Sequence, residues 1–156
     1  MIGDKWANIV EELGKVLKIA LKPDKNNCCV LAFKNGSSLQ MELDPRGENI
    51  ILATDLGELT QGRYRENILR EALKANGLPA PQCGIFAYGK KTEALLLTDQ
   101  LSLDELTGEK LVEYLVPFMQ KAEIWKNAIK SGEIPSFTGS EMTFGGKPGG
   151  LFGLVH

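Results

Sequence analysis

Leu95-Leu96-Leu97-Thr98-Asp99-Gln100-Leu101-Ser102-Leu103-Asp104-Glu105-Leu106-Thr107 runs from a continuous apolar stretch, through a polar link, into the longest helical pattern of the chain. The start of this stretch predicts a strand over 92–98, paired with another over 82–88 through Gly89-Lys90-Lys91. Beyond the link, Leu111, Tyr114, Leu115, Phe118, Met119, Ala122, Trp125 and Ile129 recur at spacings of three and four, the signature of a helix with one buried face. Ser102-Leu103-Asp104-Glu105 fits a capping box, and Thr107-Gly108 stands just ahead of the periodic run. Pro117 falls inside it and is expected to kink or restart the helix, because proline removes a hydrogen bond and collides with the preceding turn.

Towards the N-terminus the same periodicities mark the other elements. Residues 61–76 read as a helix, with Gly77 placed for a left-handed residue after its end. The apolar side chains of this helix, Tyr64, Ile68, Leu69, Ala72, Leu73 and Ala75, spread over roughly half of its circumference, enough for two partners. Three strands precede it, over 28–33, 38–44 and 49–55, joined by turns at Asn35-Gly36 and Asp44-Pro45-Arg46-Gly47. Leu39, Met41 and Leu43 alternate with Ser38, Gln40 and Glu42, so the middle strand has one dry and one wet face. The first strand, Cys28-Cys29-Val30-Leu31-Ala32-Phe33, is apolar on both faces, and its second side also needs a cover. A helix over 2–21 opens the chain, with Trp6, Ile9, Val10, Leu13 and Leu17 along its apolar side. The order is α-β-β-β-α-β-β-α, an α+β fold with a single-layer twisted antiparallel sheet. Residues 1–130 form one domain; 131–156 form an apolar tail holding glycines 132, 139, 145, 146, 149, 150 and 153, which is 7 of the chain's 17.

Composition excludes several kinds of function. The chain has 156 residues, and 18 Lys and Arg against 20 Asp and Glu leave a net charge of −2, without the basic clusters that bind nucleic acid. No stretch is long and apolar enough for a membrane span, and no signal-peptide apolar block follows the first residues, which predicts a cytoplasmic protein. Cys28, Cys29 and Cys83 lack the spacing of a zinc site or a disulfide framework and read as reduced packing residues. His156 is the only imidazole, which leaves a Ser-His-Asp or Cys-His site without a credible base. Gly145-Gly146-Lys147-Pro148-Gly149-Gly150 fails the phosphate-loop pattern, because Pro follows the lysine and Glu141 stands where the first glycine should be. The carboxylate pairs Glu11-Glu12 and Asp104-Glu105 read as a solvated helix face and a helix N-terminal turn. The sequence therefore predicts no catalytic residue, metal or cofactor. What stands out is surplus apolar surface, which points to a second subunit and an apolar peptide.

The link Leu101-Ser102-Leu103-Asp104-Glu105-Leu106-Thr107, the strand before it and the helix ending near Ala122-Glu123-Ile124-Trp125 resemble the C-terminal part of the class I chaperones of bacterial type III secretion, the CesT/SycE-type family. Leu69-Arg70-Glu71-Ala72-Leu73-Lys74-Ala75-Asn76-Gly77 is similar to that family's approach to its fourth strand, and the resemblance spans about residues 5–129. It implies a cytoplasmic bacterial homodimer that binds the extended N-terminal chaperone-binding segment of a secreted virulence effector and keeps it secretion-competent, with the secretion ATPase or another chaperone as further partners. By the family's geometry the effector groove comprises Trp6, Ile9, Val10, Leu13, Leu17, Leu31, Phe33, Leu39, Met41 and Leu43. The subunit contact comprises Leu69, Ala72, Leu73, Ile85, Phe86, Leu95 and Leu97. The competing readings are a small ligand-binding or enzymatic α/β domain and a dimeric scaffold without a client. An enzyme would need convergent polar groups between the sheet and the long helix, where the sequence shows none. The resemblance assigns the tail no role; its apolar residues would suit a placeholder in the effector groove, and the bland alternative is a disordered end.

Overall fold

The computed structural model describes residues 2–79 and 82–135. Eight elements follow in the expected order: α1 (Ile2–Leu17), β1 (Cys28–Ala32), β2 (Ser38–Leu43), β3 (Asn49–Glu58), α2 (Arg63–Asn76), β4 (Ile85–Gly89), β5 (Ala94–Ser102) and α3 (Gly108–Ser131). The strands form one antiparallel sheet in the order β1-β2-β3-β5-β4, so β1 and β4 are its edges. The tail from residue 136, with Gly145 to Gly150 and His156, lies outside the described residues.

Several boundaries differ from the sequence reading for local reasons. α1 stops at Leu17, not residue 21, because Lys18 adopts a left-handed conformation (φ 59°) and Ile19 N–H turns back to the Gly14 carbonyl at 2.9 Å. Gly77 is not left-handed; its φ is −84° and its N–H still reaches the carbonyls of Leu73 and Lys74. The capping box at Ser102 starts no helix. Ser102 is the last residue of β5, its Oγ accepts the Asp104 N–H in a local turn, and Glu105 sits at φ 61°. The cap is Thr107, whose side chain accepts the Lys110 N–H, so Asp104 and Glu105 belong to the link and not to a first helical turn. Pro117 neither ends nor restarts α3. β4 begins at Ile85, three residues later than expected, and β5 extends to Ser102.

The helices pack on one face of the sheet. Register places Cys29 and Leu31 with Met41 and Leu39, Leu52 with Met41, and Leu97 with Phe86, and all of these side chains are buried. The opposite side chains, Val30, Gln40, Ala53, Thr98 and Ile85, lie in one cross-strand row. None of these five is buried. The two-sided apolar strand β1 is therefore covered on its inner side only, and Val30 is 56% exposed.

α1 and α3 lie side by side over that inner face and meet at Gly108. A Cβ there would stand 2.5 Å from Glu12 Cβ and 2.8 Å from the Leu13 backbone nitrogen. The Glu12 carboxylate in turn accepts the Gly108 N–H at 2.8 Å, so Glu12, on the exposed face of α1, also caps α3. Gly108→Ala should push the helices apart and destabilise the fold by about 2 kcal/mol or more. Glu12→Ala, which removes only the cap, should cost about 1 kcal/mol. Urea unfolding that ranks the two variants the other way would contradict this geometry.

Candidate functional site

The residues expected to line an effector groove are inside the subunit. Trp6, Ile9, Val10 and Leu13 of α1, and Leu31, Phe33, Leu39 and Met41 from the first two strands and their turn, are all buried in one core, with Leu17 and Leu43 packed at its margin. The Trp6 indole is held there by a hydrogen bond from Nε1 to the Asn27 carbonyl at 2.9 Å. A core lining and a groove lining share the same alternation and helical stripe, and only the closure of α1 onto the sheet separates them. Large apolar side chains left at the surface on these elements are Val16, 45% exposed, and Val30.

Val30 sits on an open edge. The N–H of Phe33 bonds to Ser37 on the β2 side. On the other side, Cys28 uses both backbone groups on Asp24: its N–H reaches Oδ1 at 3.0 Å and its carbonyl accepts the Asp24 N–H at 2.8 Å. Because outward and inward groups alternate along an antiparallel edge, the N–H and C=O of Val30 and Ala32 point away from β2. This edge can accept an extended peptide by main-chain bonds, with Val30 offering an apolar contact on the uncovered face.

The residues expected at a subunit contact divide in two. Phe86, Leu95, Leu97 and Ala72 are buried within the subunit, and the Phe86 ring packs against Trp125 at a 45° tilt with centroids 4.2 Å apart. Leu73 and Ile85 are 71% and 49% exposed, Leu78 beside them is 48% exposed, and Leu69 is half-buried. The wide stripe of α2 is thus split: Ile68, Ala72 and Ala75 face the core while Leu73 faces out. α2 is attached to β4 by the Arg65 guanidinium over the Tyr88 ring at 4.9 Å and by the Asn76 side chain on the Phe86 backbone.

One polar cluster lies under the sheet, between α3 and the entry to β4. Asp99 accepts the Tyr114 hydroxyl and the Gly84 N–H, and Lys121 Nζ donates to the carbonyls of Cys83 and Gly84 at 3.1 and 3.2 Å. Burial holds the Lys121 ammonium below the ordinary lysine range and pushes the Cys83 thiol up to about 11. The lysine and the phenol are spent on backbone and carboxylate partners that fix Gly84, where φ is +85° and a Cβ would press to 2.8 Å from Leu97. The arrangement staples a loop to a helix. Among the described residues no group of three or more His, Cys, Asp or Glu is placed to hold a metal ion, and no helix is long and apolar enough to cross a membrane.

Residues 8–126 match the model of one protein family, described as Tir chaperone protein (CesT). The chain belongs to the CesT family. No curated protein matches it in sequence. Among solved structures it is similar to a chain of the HopA1–SchA chaperone–effector complex at 14% identity, with a TM-score of 0.67 over 81% of this chain and 96% of that one. It is also similar to a chain of the ExsC–ExsE complex, at 19% identity and TM-score 0.63 over 80% and 93% of the two chains. A third likeness is to a chain of the complex of the Yersinia pestis type III secretion chaperone SycH with a YscM2 fragment, at 18% identity and TM-score 0.60 over 77% and 98%. The α+β fold with its five-stranded sheet is that of these secretion-chaperone structures, as the link after β5 implied.

Sequence reasoning missed Asn76, whose amide is engaged with a strand ten residues later, and Gly108, which looked like an ordinary residue after a cap. Neither carries a periodicity signal. Burial also separates the thiols: Cys29 is pushed up to about 11, as Cys83 is, while Cys28 is raised from a more open position. At pH 7 only about one in ten thousand of a thiol with such a value is ionised. Alkylation of the folded protein at pH 7 should therefore modify Cys28 first, and Cys29 and Cys83 only when denaturant opens the core. Mass spectrometry showing early modification of Cys29 would contradict the packing of α1 on β1.

Proposed function

We propose that this CesT-family chain is a homodimeric chaperone of type III secretion that holds the extended N-terminal segment of a secreted effector in a non-globular, secretion-competent form, in the bacterial cytoplasm. The observation that carries the reading is the open β1 edge beside exposed Val30, in a chain whose structural neighbours come from chaperone–effector complexes. An effector segment would add as a sixth strand at β1, with apolar side chains against Val30 and Val16 and with Leu17 and Leu43 at the rim. The buried residues Trp6, Ile9, Val10, Leu13, Leu31, Phe33, Leu39 and Met41, which the family resemblance implies as groove lining, would act from beneath, by holding α1 and β1 rigid. Its work is binding, not catalysis: Tyr114 and Lys121 already have backbone and carboxylate partners. The secretion ATPase or another chaperone would receive the loaded complex.

A second copy is the natural cover for Leu73, Leu78 and Ile85. A stable contact needs about 800 Å² per partner with an apolar centre, which α2 and β4 together can supply. Leu73→Glu should yield a monomer with unchanged circular dichroism, read by light scattering; a monomeric wild type at micromolar concentration would exclude the homodimer. For the client, Val30→Pro removes one outward N–H without touching the β1–β2 ladder. It should lower the yield of a secreted protein that co-purifies from the native cytoplasm by about tenfold, a loss of about 1.4 kcal/mol. An undiminished yield from the folded variant would place the client elsewhere.

A further inference from the structure

The two edges of the sheet are not equivalent. At β4 the side chain of Asn76, the last residue of α2, faces the outward backbone groups of Phe86. Its Oδ1 accepts the Phe86 N–H at 2.8 Å, and its Nδ2 donates to the Phe86 carbonyl at 2.9 Å. These are the two bonds that a residue of a neighbouring antiparallel strand would make. One amide side chain thus stands in for a strand. Its placement is supported from both sides, since the Asn76 carbonyl accepts Gln82 Nε2 at 3.2 Å and the Gly77 N–H ties the helix end to Leu73 and Lys74.

The surroundings explain why such a plug matters. Leu73 lies one turn before Asn76, Leu78 two residues after it, and Ile85 next to Phe86, all three about half exposed or more. An edge strand of five residues with apolar neighbours and no charge of its own in Ile85-Phe86-Ala87-Tyr88-Gly89 is a ready template for pairing with another chain. Among the described residues β1 has no counterpart of Asn76 at Val30 or Ala32; only Cys28 is occupied, by Asp24.

We propose that Asn76 determines how this protein may be joined: it closes β4 to strand pairing, so that a second copy can cover Leu73, Leu78 and Ile85 only side chain to side chain, and strand addition is left to β1. The part concerning β1 rests on the reading of that edge as the client site; the closure of β4 does not. Without the plug, β4 of one copy pairs with β4 of another through the freed Phe86 groups and the outward groups of Tyr88.

The test needs no client. In the wild-type protein, amide exchange should be slow at Phe86 and fast at Val30, the comparable outward position of β1; equal, fast exchange at both overturns the proposal. At concentrations low enough to keep the variant from associating further, Asn76→Ala should speed exchange at Phe86 about tenfold or more, by freeing its N–H to solvent. It should also produce species larger than the wild-type assembly whose share rises with concentration in sedimentation. Asn76→Asp keeps an acceptor for the Phe86 N–H and places a charge on the edge, so it should sediment as the wild type does. If the folded Asn76→Ala chain keeps the wild-type assembly at every concentration, the plug has no bearing on association and the proposal fails. Should that variant precipitate unfolded, the wild-type exchange rates decide alone. Failure here leaves the client reading intact, because Val30→Pro and co-purification test that separately.

Discussion

The approach of α3 to α1 at Gly108 is the contact on which the rest of the subunit depends. Two helices share one face of a five-stranded sheet, and they fit because their backbones meet where one of them has no side chain. Glu12 then supplies the acceptor that the first turn of α3 needs, so the close approach also satisfies a helix end. From this crossing α3 runs to a left-handed Gly132, where the Glu133 N–H returns to the Ala128 carbonyl and the Tyr64 hydroxyl donates to the Glu133 carbonyl. The long helix thereby ties together α1, the β3 end at Gly57, the start of α2 and the entry to β4.

Placing every helix on one side has a structural consequence. A sheet covered on one face keeps a second face and two edges, and each must be used, plugged or left open. Here β1 is open beyond Cys28, β4 carries the Asn76 amide, and the outer row from Val30 to Ile85 is left without a helix. A binding protein for extended peptides needs one template and must avoid a second, because an unguarded edge would join copies into aggregates. On the proposed reading, the asymmetry between the edges would meet both needs with a single side chain.

The polar cluster of Asp99, Tyr114, Lys121 and Gly84 shows the same economy on the inner face. Cationic and phenolic groups that could be mistaken for a catalytic set are consumed in fixing the loop ahead of β4, and burial keeps the adjacent thiol protonated. That loop delivers Phe86 to Trp125 and to Asn76, so the staple under the sheet and the plug at its edge act on the same strand.

The order of elements, their helical or extended character and the turn at Asn35-Gly36 were legible in the sequence, because periods of 3.6 and 2 and a positive φ at Gly36 are properties of neighbouring residues. The link after β5 sufficed for the family. What the sequence could not contain was which apolar face is covered. Trp6, Leu39 and Met41 show the same alternation whether they line a core or a groove, and the split of the α2 stripe between Ile68 and Leu73 looks the same as a broad buried face. The plug at Phe86, the closeness at Gly108 and the early end of α1 at Leu17 likewise depend on where backbone groups come to rest. The tertiary structure decided these points because burial and hydrogen-bond partnership are set by what packs alongside, and periodicity along the chain reports only the direction in which a side chain leaves its own element.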